Sequence, residues 1–129
     1  MTMNYSERAR ALVGTPFRPQ GRTQDGLDCV GLLLSTYDIP ITAVRHNYRL
    51  RGDHRREIES ALRKQFRRVP AGQSREGDVM LMMVAADQFH LGVKTGRGFV
   101  HAHVGIGRIV ETPGLPDWPV LGHYRKRSR

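Results

Sequence analysis

Asp28-Cys29-Val30-Gly31-Leu32-Leu33-Leu34-Ser35-Thr36-Tyr37 opens on a residue that caps helices and continues apolar on nearly every side. Such a stretch predicts a buried central helix rather than one lying on a surface. Asp38-Ile39-Pro40 ends it, because proline disfavours a helical conformation in the residue before it. The cysteine therefore falls in the first turn. There, unpaired backbone N–H groups and the helix dipole favour the thiolate and lower the thiol pKa. The same N–H groups can hold an oxyanion formed when that thiolate attacks a carbonyl. Free cysteines are often plain packing residues, but a place at the head of the helix argues for reactivity.

Working outward, Tyr5 to Val13 reads as a short helix with Ala9, Leu12 and Val13 on its apolar face, stopped by Gly14-Thr15-Pro16. Phe17 to Gly26 reads as a polar loop. On the other side, Arg51 to Phe66 reads as an amphipathic helix whose stripe is Ile58, Leu62 and Phe66. Val69 to Glu76 is a linking loop, after which the pattern changes to strand. Asp78 to Val84, Phe89 to Lys94 and Phe99 to Val104 are the strong candidates, the last two separated by Thr95-Gly96-Arg97-Gly98. Arg108 to Glu111 and Val120 to Tyr124 are weaker, with Pro113, Pro116 and Pro119 between them. Helices first and strands after predict an α+β fold with an antiparallel sheet. At 129 residues the chain reads as a single domain spanning 1–129.

Composition narrows the function. The net charge is +9, from 21 Lys and Arg against 12 Asp and Glu. That balance suits an anionic partner such as nucleic acid, an acidic membrane or the cell wall. The cations concentrate in 51–68 and 125–129, where a solvated helix face and a frayed end account for most of them. No zinc-finger spacing, Gly-rich phosphate loop or aromatic basic motif accompanies them, so no specific nucleic-acid partner is expected. No run approaches the ~20 apolar residues of a membrane-spanning helix, so no membrane insertion is expected. Met1 to Arg10 has no apolar signal segment, which predicts synthesis in the cytoplasm without a secretory route of its own. The single cysteine excludes an internal disulfide.

A thiol nucleophile needs a base held in place by a third group. Of six histidines, His46, His54 and His123 stand in charged or loop-like surroundings and read as surface residues. His90, His101 and His103 fall in the strand pair around residues 95–98. A two-residue loop at Gly96-Arg97 sets His103 opposite His90, whereas a four-residue loop from Lys94 to Arg97 sets His101 there. Both registers gather the three imidazoles on one face, and a three-residue loop separates them. The same cluster also suits a three-histidine metal site, a reading that leaves Cys29 without a role.

Gly14-Thr15-Pro16-Phe17 followed by Gly26-Leu27-Asp28-Cys29-Val30-Gly31-Leu32 resembles the opening motif of the NlpC-type cell-wall peptidases. Glu76-Gly77-Asp78-Val79 looks like that family's loop-to-strand motif. Phe89-His90-Leu91-Gly92-Val93 looks like its catalytic-histidine strand, and Phe99-Val100-His101-Ala102 like the strand bearing its third catalytic residue. The resemblance runs through essentially the whole chain and is weakest from His46 to Arg75. It implies a papain-like fold, with the cysteine helix packed on an antiparallel sheet. It implies a peptidoglycan stem-peptide substrate, cut between γ-D-glutamate and a diamino acid, with no cofactor or metal. By position, Cys29 is then the nucleophile, His90 the general base and acid, and His101 the group orienting His90. His103 and Asp28 are accessory candidates. Val30 stands where relatives carry a small polar residue and Phe17 where many carry tyrosine. The interval from His90 to His101 is one residue shorter than in the family. The short length and the Glu111 to Trp118 stretch look most like the phage-encoded branch, which implies tail proteins as partners and a virion or tail location. Two rivals remain: a non-catalytic tail-assembly or wall-binding protein of the same fold, and the three-histidine metal-dependent hydrolase. Related acyltransferases share the Cys–His pair.

Overall fold

The computed structural model describes residues 4–23, 25–40, 42, 55–86 and 88–127. Helix α1 (Tyr5–Ala11) starts where the Asn4 side chain accepts the Glu7 N–H. A two-residue hairpin follows, β1 (Arg22–Thr23) with β2 (Gly26–Leu27), inside the stretch expected to be a plain loop. Helix α2 (Cys29–Tyr37) has the expected bounds: Asp28 caps its start, and Asp38 closes it in the left-handed region at φ 56°.

Helix α3 (Arg55–Gln65) stops one residue before the expected end, and residues 51–54 of that expectation lie outside the described ones. Phe66 leaves the helical stripe and begins β3 (Phe66–Val69). Its ring is buried in both arrangements, which is why spacing alone misassigns it. The remaining strands are β4 (Val79–Ala85), β5 (Gln88–Lys94), β6 (Gly98–His103), β7 (Arg108–Pro113) and β8 (Val120–Lys126).

Together β3 to β8 form one antiparallel sheet in the order β3-β8-β4-β5-β6-β7. Alternation of side chains divides its residues between two faces. Leu81, Leu91, Val93 and Val100 join the main core with Leu32, Leu33, Ile58 and Leu62 from α2 and α3. Burying each such side chain stabilises the fold by about 1.5–3 kcal/mol. Met80, Met82 and Phe99 turn the other way and form a smaller cluster beneath Trp118 and Val120. The expected α+β architecture, helices against an antiparallel sheet, is the one found.

Both margins of the sheet are modified. Along β7, Gly14 N–H donates to Ile109 O at 2.9 Å, and Ile109 N–H donates back to Thr15 O at 2.8 Å. At the opposite margin, β3 is only four residues long and exposes Arg67 and Arg68.

Candidate active site

The head of α2 is held by one carboxylate. Asp28 Oδ1 accepts the Gly31 N–H at 2.8 Å and an Arg22 Nη1 hydrogen at 2.7 Å, while Oδ2 accepts the Gln20 N–H at 3.0 Å. The β1–β2 hairpin is thereby drawn over the helix start. It comes so close that a Cβ on Gly31 would overlap the Gly21 carbonyl oxygen, so only glycine fits there.

Cys29, next to this cap, is 5% exposed. Burial, and then the Asp28 carboxylate, push its thiol up to about 12, only partly countered by the Leu91 backbone and Arg22. This reverses the expected lowering. The helix start does favour a thiolate, but desolvation of a buried charge outweighs it. At rest Cys29 is a neutral thiol.

The histidines form a directed row. His90 Nε2 lies 2.9 Å from His101 Nδ1, and His101 Nε2 lies 2.8 Å from Thr112 Oγ1. Gly92 pairs with His101, and Thr95 N–H donates to Gly98 O, so the loop is the two-residue Gly96-Arg97 form. In that register His90 and His101 are diagonal neighbours on one face, close enough for side chains of this length to meet. Phe99 stacks on His101 with ring centroids 4.6 Å apart, and Trp118 stands edge-on to both imidazoles at 5.8 Å. Burial, then the neighbouring His103, lowers His90 to about 4. Burial, then His90 and His103, lowers His101 to about 3. Both rings are neutral near pH 7.

His103 shares the face but not the row. Its Nδ1 accepts the Ile106 N–H at 3.0 Å and shapes the turn after β6. The three-histidine metal reading fails on this geometry. The nitrogens of His90 and His101 face one another instead of a common point. Among the described residues no group of three or more His, Cys, Asp or Glu is arranged to hold an ion. His46 and His54 lie outside the described residues. His123, expected at the surface, is half-buried on β8 with its Nδ1 enclosed and without a hydrogen-bond partner among the described residues.

Cys29 and His90 meet on one cavity of about 450 Å³. It opens where β4 ends and β5 begins, so groups from both sheet faces reach it: Cys29, Phe89 and Ala102 from the helix side, His90, His101 and Trp118 from the other. The pairing of β4 is irregular at this end, on both its β8 and β5 sides. Such bulges re-aim side chains beside sites. No hydrogen bond joins the thiol to His90 among the described residues. Because His90 Nε2 is engaged with His101, its Nδ1 is the nitrogen left for the cavity.

Sequence reasoning missed three contributors. Thr112 lies one residue beyond the expected end of its strand, and extending the alternation from Val110 would have found it. Arg22 stands six residues before Asp28, in a loop without periodicity. Trp118 sits between Pro116 and Pro119, where no regular pattern gives direction.

No protein-family model matches the sequence, and no curated protein sequence matches it. Solved structures do match its fold. The NlpC/p60 domain of the peptidoglycan hydrolase SagA is 16% identical, with a TM-score of 0.60 over 85% of this chain and 86% of that one. NlpC1 from Trichomonas vaginalis is also 16% identical, with a TM-score of 0.72 over 97% of this chain and 44% of that one. The peptidoglycan hydrolase RipB from Mycobacterium tuberculosis is 19% identical, with a TM-score of 0.59 over 95% of this chain and 62% of that one. The chain thus spans less than two thirds of the last two. At these identities the likeness defines the fold alone: an α+β domain with an NlpC/p60-type fold.

Proposed function

We propose that this chain is a thiol peptidase that hydrolyses the γ-D-glutamyl–diamino acid bond of the peptidoglycan stem peptide. One observation carries the reading: Cys29 and the His90–His101 pair line a single cavity in an NlpC/p60-type fold. The SagA domain and RipB, which share that fold, are peptidoglycan hydrolases.

In this mechanism Cys29 is the nucleophile, His90 the base and acid, and His101 the residue that orients His90. The resting pair is neutral, so the thiol proton passes from Sγ to His90 Nδ1 as Sγ attacks the amide carbonyl. The resulting oxyanion is held by backbone N–H at the head of α2, a class of donor worth about 3 kcal/mol. The imidazolium then protonates the leaving amine, the C–N bond breaks, and a thioester remains on Cys29. Water, deprotonated by the same Nδ1, attacks the thioester and releases the acid, returning the proton to sulfur. An amine acceptor in place of water would make the same pair an acyl transferase, and the mass of the product tells the two apart.

The test is digestion of purified sacculi with the wild-type protein and with Cys29→Ala. Wild type should release stem-peptide fragments detectable by mass spectrometry. Cleavage that persists in folded Cys29→Ala would remove Cys29 from the nucleophile role.

A second reading is a non-catalytic wall-binding or tail-assembly protein, favoured by the burial and high pKa of the Cys29 thiol. It predicts that the wild-type protein pellets with sacculi and releases nothing. Association with a phage or prophage tail belongs to either reading. It rests on the resemblance of the Glu111 to Trp118 stretch, and antibody detection in purified particles would test it.

A further inference from the structure

We propose that Thr112 is a positioning residue that fixes the tautomers of His101 and His90, so that His90 Nδ1 is the basic nitrogen facing the cavity. This deepens the peptidase reading and rests on it. The starting point is the row His90 Nε2, His101 Nδ1, His101 Nε2, Thr112 Oγ1, with its two contacts of 2.9 and 2.8 Å.

Two proton arrangements fit those distances. In one, the Thr112 hydroxyl donates to His101 Nε2, and His101 Nδ1–H donates to His90 Nε2. His90 then carries its single proton on Nδ1 and offers the cavity a donor, not a base. In the other, His90 Nε2–H donates to His101 Nδ1, and His101 Nε2–H donates to Thr112 Oγ1. His90 Nδ1 is then unprotonated.

Only the second arrangement survives a turnover. When His90 takes the thiol proton it carries hydrogen on both nitrogens, so its Nε2 must donate. His101 Nδ1 must then accept, which leaves the His101 proton on Nε2, aimed at Thr112. His101 is 1% exposed, so water cannot substitute freely for that acceptor. A hydroxyl serves here because it accepts from the ring while turning its own hydrogen elsewhere. Valine has the same shape and no acceptor. It would leave a buried N–H unpaired, or drive the proton to Nδ1 and block His90.

Nitrogen-15 NMR of histidine-labelled protein reads the tautomers directly, without substrate. The wild-type protein should show His90 and His101 both protonated on Nε2. Finding the His101 proton on Nδ1 would overturn the proposal, whatever the activity. Thr112→Val should shift His101 toward the Nδ1–H form and lower kcat about ten- to a hundredfold with KM little changed. Thr112→Ser, which keeps the hydroxyl, should restore both the spectrum and kcat. A Thr112→Val protein with wild-type tautomers would also overturn it, and the wild-type and serine spectra decide the matter if the valine variant does not fold. Wild-type protein with the expected tautomers but no release from sacculi counts against the peptidase reading, not against the positioning of the rings.

Discussion

His90 and His101 face one another nitrogen to nitrogen at 2.9 Å, diagonal across two paired strands, with Trp118 edge-on to both rings. The contact fixes which nitrogen of His90 is free, and it does so inside the sheet rather than on a loop. His101→Ala should therefore leave the fold intact and cut kcat about a hundredfold or more, since His90 loses its orienting partner. Steady-state kinetics on a soluble stem peptide would measure it. An effect on KM alone would assign His101 to substrate binding instead.

The pH dependence of activity should be broad. His90 is lowered to about 4 and Cys29 raised to about 12, so the neutral pair persists between them. Accordingly kcat/KM should be flat from about pH 5.5 to 9 and fall only on the acid side. An acid limb centred near 6.5 would mean that His90 titrates as an exposed imidazole.

Cys29 should be slow toward iodoacetamide, more than about tenfold slower than free cysteine at pH 8, because little thiolate is present. The Asp28 carboxylate is the second cause of that high pKa. Asp28→Asn keeps a capping oxygen for Gly31 N–H while removing the charge. It should speed alkylation, followed by intact-protein mass spectrometry. An unchanged rate would assign the sluggishness to access alone.

Acid should destabilise the fold. His90 and His101 titrate lower in the folded chain than the ordinary 6.5 of an unfolded one. Between those values the unfolded chain binds more protons. Stability is thus fully present above about pH 6.5 and is lost as pH falls toward 4 and 3, by a few kcal/mol (order of magnitude). Urea melts at pH 7 and pH 4 would show it. The difference should shrink in a His90→Gln/His101→Gln protein.

Gly31→Ala should destabilise the chain by about 1–3 kcal/mol despite the better helix propensity of alanine, because its methyl group would overlap the Gly21 carbonyl oxygen. Denaturant titration gives the value. A neutral or stabilising effect would mean that the hairpin over the helix head moves aside at little cost.

Much of this is legible in the sequence. The α2 boundaries followed from a capping aspartate, an all-round apolar run and a following proline, each acting locally. The three central strands followed from apolar runs and turn residues. What escaped depended on tertiary surroundings. Phe66 continues a helical stripe and also starts a strand, and only its pairing with Lys126 decides between them. The β1–β2 hairpin is two residues a side, too short for a period. The thiol pKa depends on how deeply the helix head is buried, and no residue pattern encodes depth. The two-residue loop sets His103 opposite His90, yet His90 bonds the diagonal neighbour His101, so the choice between them rests on how the side chains turn and pack, which no loop length encodes.

The margins of the sheet bear on how the protein behaves at high concentration. Exposed strand edges recruit further strands and seed aggregates. Here residues 14 and 15 lace onto β7, and Pro113 at its end has no N–H to offer. On the far side, a newcomer to β3 would find only four residues to pair with and would set its side chains beside Arg67 and Arg68, the latter held by Leu121 O and Glu59. Edge-to-edge growth is blocked by hydrogen bonding on one flank and by a short, arginine-bearing strand on the other, so crowding many copies together would not by itself drive them into fibrils.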